Sequence, residues 1–513
     1  MKKSAAAWVL AGLFALFCYF PLFHHLDHMS LRLWDEARRG VNALDMAENG
    51  NWLVTHYEGS PEMWGTKPPF LIWCQVLFLK LLGDGELALR LPSALAALAT
   101  VILLVWSGAR VLRQPLTGLL AGMVLLCTKG YVGAHVARSG DFDALLTLWE
   151  TCYLLCFFQW WRSWRSPASR RWLFLTAAGI GMAGLTKGIA GFLFLPGLVL
   201  FLLLRGLPDG PKGPAAMLHL LRRPATWLAA GLALLPPALF YIGREIANPG
   251  YLAAVMDNEV GGRFLVAQGG HNHPWFHYLE WLWREQFQPW ILFLPLAWIA
   301  CWQQGGLVRD LTLLLTVVVV SFLGVISAAS TRIMWYMAPA YPLLAFLVAI
   351  GLSTLFSESR PSKKSWSAGV LLAFALFFQP YRAIVERSYR EQHPAWDWHE
   401  LKYRDFMRQV PGVRDYTIVH AHYNSHVVFY ARLFNRAGAR IRYHPLFDID
   451  RNPSTMGEGP LAFQPGDTLM VCEKQVWNAL DTTYRYRSLY SWDGCQLLVV
   501  TGKVAEPPEK GKE

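Results

Sequence analysis

The chain has 513 residues, is 54% hydrophobic and 14% aromatic, holds 24 tryptophans and carries only 16% charged residues. Soluble domains carry about 25% charge, so this is the composition of a membrane protein. The net charge of +11 would suit nucleic acid, but Lys and Arg stand in short clusters between apolar runs. That pattern follows the positive-inside rule, and nucleic acid is excluded as a partner.

A membrane-crossing helix needs about 20 apolar residues. Runs of this kind lie near 6–23, 86–107, 115–136, 142–161, 172–186, 188–204, 225–243, 289–304, 311–329, 333–356 and 366–379. The first could be a cleaved signal peptide. No small-residue cleavage site follows it before Pro21–His25, so a retained span is expected. The stretch 69–83 is short and reads as interfacial. The expected fold class is an α-helical polytopic membrane protein of about 11–13 spans with a small C-terminal α/β soluble domain.

Lys2 and Lys3 put the N-terminus in the cytoplasm. Alternation then sends Arg110/Arg113, Arg162/Arg165/Arg170/Arg171, Lys212/Arg222/Arg223 and Arg360/Lys363/Lys364 to the same side, where short loops gather cations. The opposite side holds the loops 24–67 and 244–288, the turns near 137–141, 187 and 330–332, and the tail. Nearly all the paired acids and histidines fall there.

A catalytic transmembrane domain is therefore expected over 1–379 and a periplasmic domain over 380–513. In the tail, Tyr416–His420, Thr468–Cys472 and Gln496–Val500 read as strands, and Asn424–Leu433 and Glu473–Leu480 as helices. Residues after Ala505 read as a disordered end. Six of the eight cysteines lie in or beside spans. Cys472 and Cys495 each adjoin a strand of the tail, a suggestive pair in an oxidising compartment.

The first candidate for chemistry is Trp34-Asp35-Glu36-Ala37-Arg38. It is either an amphipathic interfacial helix with its acids in water or the source of a general base for an acceptor hydroxyl. Gly65-Thr66-Lys67-Pro68-Pro69 offers a cation at headgroup level, and its bland reading is a snorkelling lysine. Lys187, in Leu185-Thr186-Lys187-Gly188, interrupts two apolar runs, which is costly for a mere anchor.

Arg138-Ser139-Gly140-Asp141-Phe142-Asp143 opens a span. One Asp serves as a helix cap; a second two residues away asks for another reason. The loop 244–288 contains Asn258-Glu259…Arg263-Phe264 and Gly270-His271-Asn272-His273. Two histidines without a firm third ligand give little support to a divalent metal, so no cofactor is required and no metal site is assigned, with a divalent metal left open as the alternative. Arg332 and Tyr336 stand one turn apart at a span start. Acids that activate a hydroxyl, beside cations that stabilise a departing phosphate, suit transfer from a phosphate-linked sugar.

In order, Asp35-Glu36-Ala37-Arg38, Lys67-Pro68-Pro69, Asp143-Ala144-Leu145-Leu146-Thr147 and Leu185-Thr186-Lys187-Gly188 resemble the GT-C glycosyltransferases. They are most similar to bacterial relatives of the protein O-mannosyltransferases, including the lipid A aminoarabinose transferases. Glu259…Arg263-Phe264, Gly270-His271…Pro274 and Arg332…Tyr336…Pro339 follow the same order, so the likeness covers about 30–345.

The resemblance implies inverting transfer from undecaprenyl phosphate at the periplasmic face of the inner membrane. It implies Asp35 as the base, Asp143 in a supporting acidic role near the acceptor or donor, and Lys67, Arg263 and Arg332 as donor-phosphate ligands; Glu36 is added to the catalytic residues and Lys187 and Tyr336 to the phosphate ligands. Glu259 and His271 would support the acceptor. The implied partners are a polyprenyl-phosphate sugar, a lipid or glycan acceptor, with lipid A or lipopolysaccharide favoured, and membrane lipids. Thr66 stands where many relatives have Glu, which weakens a metal, and Arg332 where many have Lys, which favours a bidentate phosphate contact.

A transporter or flippase would place charges in mid-span and repeat its halves. Here charges sit at span boundaries on one side and no repeat is visible. A non-catalytic scaffold would leave the one-sided charges unexplained, and a protein hydroxyl stays open as an acceptor.

Overall fold

The computed structural model describes residues 2–504, apart from 33, 134, 268–269, 356–362, 390–397, 411, 422 and 447–462. Arg360, expected on the cytoplasmic side, and the expected disordered end after Ala505 lie outside the described residues. Each expected apolar run carries an α-helix over all or part of its length, as a chain in lipid must satisfy its own backbone donors and acceptors. Helix α1 (Lys2–Leu22) is followed by α2 (Asp35–Asn49), the hairpin strands β1 (His56–Tyr57) and β2 (Ser60–Pro61), α3 (Phe70–Leu82), α4 (Glu86–Trp106) and α5 (Pro115–Leu126). Next come the single turn α6 (Lys129–Val132), α7 (Asp143–Arg162), α8 (Ala168–Lys187), α9 (Leu195–Arg205), α10 (Pro214–Leu221) and α11 (Pro224–Ala247). The loop helices α12 (Tyr251–Val255) and α13 (His277–Trp281) precede α14 (Leu294–Gln304), α15 (Gly306–Ala328), α16 (Ala340–Leu355) and α17 (Lys363–Tyr389).

The protein is a multi-pass helical membrane protein. Among the described residues, Glu86–Val111, Ala168–Phe192, Pro224–Ala247 and Gly306–Ala328 are long and apolar enough to cross a membrane. Several expected spans are shorter than the sequence suggested. The run 115–136 stops as a helix at Leu126, and 333–356 begins only at Ala340, after Pro339, which disfavours helix in the residue before it. The last apolar helix runs in the other direction, continuing through Pro380 to Tyr389. Small residues let the bundle close: a Cβ on Gly108 would stand 2.2 Å from Gly118 Cα, an approach only backbone can make.

The C-terminal part holds α18 (Trp398–Gln409), β3 (Asp415–His420), α19 (Ser425–Arg436), β4 (Arg440–Pro445), β5 (Thr468–Val471), α20 (Lys474–Thr483), β6 (Tyr484–Trp492) and β7 (Cys495–Lys503). Its sheet runs β4-β3-β5-β7-β6, with β4, β3 and β5 parallel and β7 antiparallel to both neighbours. All five expected elements are present. A disulfide joins Cys472 to Cys495 across the ends of β5 and β7. Asn424 caps α19 by accepting from Val427 N at 3.1 Å.

Helix α2 lies between this soluble part and the bundle. Gly40 permits the contact, since a Cβ there would meet Leu89 at 2.9 Å and the Phe429 ring at 3.1 Å. Glu86, 5% exposed, accepts from Arg404 at 3.1 Å and from Tyr430 Oη at 2.8 Å. Arg432 reaches Asp45 at 2.7 Å, and Arg436 pairs with Glu48 and Asp84.

Candidate active site

Asp35 and Glu36 open α2, where carboxylates complement the helix dipole, but consecutive helical residues point about 100° apart. Asp35 lines a cleft with Lys67 and Arg263, and its side chain is 44% exposed. Glu36 is fully buried. Its carboxylate accepts from Arg90 at 2.7 and 2.9 Å, from Arg32 N at 2.9 Å and from Gly140 N at 2.8 Å. The sequence grouped Glu36 with the catalytic acids; its geometry instead makes it a brace between α2, α4 and the turn before α7.

One turn along α2, Arg39 binds Asp35 at 3.3 Å and also the buried Asp141. His135 Nδ1 lies 2.9 Å from Asp141 Oδ2, and its ring stacks on Trp335 with centroids 3.8 Å apart. His135 is held at φ +64, a left-handed conformation uncommon for side chains and often found at functional sites. Arg39 and His135 form part of the site that the sequence reading did not single out, and Asp141, quoted there in its motif, was given no role. The paired Asp141 and Asp143 were the available signal.

The loop carrying Lys67 meets the loop 244–288 at Glu259. Thr66 Oγ1 donates to Glu259 at 2.5 Å and Lys67 Nζ lies 3.1 Å from it. Arg263 donates to Asn258 Oδ1 at 3.1 Å and to Tyr336 Oη at 3.3 Å. Lys187 reaches Asp143 at 2.6 Å and stands 5.0 Å above the Tyr336 ring. Five separated segments thus converge on one charged cluster.

Burial opposes ionisation of Asp35, but Arg39, His135, Lys67 and Arg263 outweigh it and hold its pKa below the usual carboxylate range. Burial, helped by Arg263, brings Lys67 down to about 8. Glu259 goes the other way: burial raises it, yet Lys67 and Arg263 hold it at about 2. A phosphate entering beside Lys67 and Arg263 would therefore find cations whose mutual repulsion it relieves.

Two expected site residues stand elsewhere. Arg332 donates to the carbonyls of Ser327 at 3.0 Å and of His273, so its fork braces two loops instead of facing the cleft. His271 meets that brace through its own carbonyl, which accepts from Arg332 N at 3.0 Å. The rings of His271 and His273 lie 6.5 Å apart. Ligand atoms of Asp35, His135 and Asp141 fall within 4.8 Å of one another, a donor set of oxygen and nitrogen that suits a divalent ion. Arg39 supplies the positive charge between the two carboxylates there.

Residues 66–239 match the family described as dolichyl-phosphate-mannose-protein mannosyltransferase. The chain is 28% identical over 359 residues to the undecaprenyl phosphate-alpha-4-amino-4-deoxy-L-arabinose arabinosyl transferase of Aeromonas salmonicida, covering 69% of this chain and 61% of the relative. The enzyme of the same name from Edwardsiella ictaluri is 28% identical over 370 residues, with 70% and 61% covered. The match thus spans about three fifths of these relatives' length.

The crystal structure of ArnT from Cupriavidus metallidurans bound to undecaprenyl phosphate superposes with a TM-score of 0.68 at 19% identity, covering 97% of this chain and 98% of that one. The archaeal oligosaccharyltransferase AglB from Archaeoglobus fulgidus gives 0.53 at 12% identity, covering 99% and 75%. The chain thus shares the fold of these glycosyltransferase structures, and over residues 66–239 it matches the mannosyltransferase family.

Proposed function

We propose that this protein is an inverting glycosyltransferase of the bacterial inner membrane. It moves a sugar from undecaprenyl phosphate to a cell-envelope acceptor, lipid A or lipopolysaccharide being favoured. The observation that carries this reading is the meeting of Asp35 with Lys67, Arg263, Tyr336 and the Asp143–Lys187 pair in one cluster. The names of the relatives and the ligand of the ArnT crystal structure support the choice of donor.

In this reading the acceptor oxygen attacks the anomeric carbon, a new C–O bond forms, and the bond from that carbon to the phosphate oxygen breaks. Undecaprenyl phosphate leaves with the bonding pair. Lys67 and Arg263 face the charge that grows on its oxygens, and Tyr336 orients Arg263. Asp35, ionised throughout the working pH range, accepts the acceptor proton late in the step. Asp143 holds Lys187 in place. The soluble part and the cleft face the periplasm.

The test uses purified protein in lipid nanodiscs with an undecaprenyl-phosphate-linked sugar and lipid A. Sugar-modified lipid A is expected by mass spectrometry; no product and no donor turnover would overturn the reading. A reporter active only in the cytoplasm, fused at Gly466, should stay silent, and a strong signal would overturn the sidedness.

A further inference from the structure

At the cleft, a group of aromatic rings gathers around Arg38. Arg38, one residue before Arg39, lies 5.4 Å from the ring centroid of Tyr57, 5.9 Å from that of Trp64 and 5.5 Å from that of Tyr423. Trp34 stacks on Tyr423 with centroids 5.1 Å apart and planes inclined by 25°. Trp34 and Trp64 nevertheless remain 47% and 54% exposed, and Trp64 lines the cleft beside Asp35. These rings come from three places: the start of α2, the β1–β2 hairpin with the segment that follows it, and the C-terminal part just before α19.

Large exposed indoles in a membrane protein are ordinarily interfacial anchors. Trp34 departs from that pattern, since it packs against the soluble part and not against the apolar bundle. Nor is the patch an anion site, because Glu62 already pairs with Arg38 and accepts from Asn42 at 2.5 Å. What the group offers is flat π faces flanked by fixed polar groups. The C–H bonds on one face of a pyranose carry slight positive charge and suit such faces; its hydroxyls suit Glu62, Arg38 and Asn42 at the margin.

We propose that Trp34, Trp64 and Tyr423 form the subsite that holds a saccharide ring of the acceptor beside Asp35. This rests on the glycosyl-transfer reading and deepens it: the acceptor is a glycan-bearing molecule, and the C-terminal part contributes directly to its recognition.

The experiment titrates the full-length protein in nanodiscs with purified lipid A without donor, following tryptophan fluorescence, and separately with undecaprenyl phosphate. Trp64→Ala and Tyr423→Ala should each weaken lipid A binding about tenfold and leave undecaprenyl phosphate binding unchanged. Trp64→Phe should restore most of the loss. Wild-type lipid A affinity in both alanine variants would overturn the subsite, as would equal loss of both ligands. Binding of a serine-rich peptide in place of lipid A would assign the acceptor to protein and also overturn it. If wild-type protein binds lipid A through these rings yet never turns over donor, the transfer reading fails while the subsite stands.

Discussion

Asp35→Asn separates chemistry from structure, because the two roles of its neighbourhood lie on different acids. Asparagine keeps the size of the side chain but removes the charge that accepts the acceptor proton, so turnover should fall by about 10²–10⁴-fold. The folded protein should barely register the change. Asp35 is half exposed and shares Arg39 with Asp141, and an exposed pair of this kind contributes about 0–1 kcal/mol. Asp141→Asn is the contrasting variant. It strips a buried carboxylate from both Arg39 and His135, a loss on the order of 3–5 kcal/mol for a broken buried pair. The assay measures product formation in nanodiscs alongside the thermal midpoint of each variant. Asp35→Asn should retain the midpoint and donor binding while losing product, and Asp141→Asn should lose both midpoint and product. Near-normal turnover by Asp35→Asn would remove Asp35 from the mechanism and leave Asp143 or Glu259 as the base.

Lys67, brought to about 8, loses its proton as pH rises through that value. The KM for donor should then climb between pH 7 and 9 with little change in kcat, and Lys67→Arg, which stays charged, should flatten the climb; a flat wild-type profile would remove Lys67 from phosphate binding. Arg332→Ala should lower the thermal midpoint and leave undecaprenyl phosphate affinity unchanged, because its fork holds two carbonyls. A selective loss of donor affinity would return Arg332 to the phosphate site. Replacing Cys472 and Cys495 with serine opens a link between residues 23 apart in sequence and should cost about 3 kcal/mol, read as a lower midpoint for the soluble part. An unchanged midpoint would show that the link contributes nothing to stability.

Long apolar runs made the helical bundle legible, and short runs of apolar and β-branched residues made β3, β5 and β7 legible. β4 and β6 escaped because they are edge strands. Arg-Ile-Arg-Tyr and Tyr-Arg-Tyr-Arg carry charges that protect an edge and blur the strand pattern. The site was legible where acids and cations stood conspicuously against apolar surroundings, as with Asp35, Lys67, Asp143, Lys187 and Glu259. Arg39 was not, since its meaning depends on Asp141, about a hundred residues away, and His135 was not, since its ring is set by Trp335 from a distant span start; no local spacing reveals either. Glu36 and Arg332 show the converse: a charged residue in the right motif order can be consumed by a brace, and only the directions of its hydrogen bonds tell which role it has.

The position of α2 bears on when the molecule becomes competent. Its helix is made among the first fifty residues, yet the face that carries Asp35 is completed by contacts that cross nearly the length of the chain. Leu31 N donates to Tyr430 Oη across 399 residues, and Gly40 waits for the Phe429 ring. During synthesis, when chains emerge from their N-terminal end, the membrane helices can insert while α2 still lacks one wall. The packing of α2 is finished only when the last fifth of the polypeptide has folded, so a half-made chain carries the acid on a helix that still lacks one of its supports.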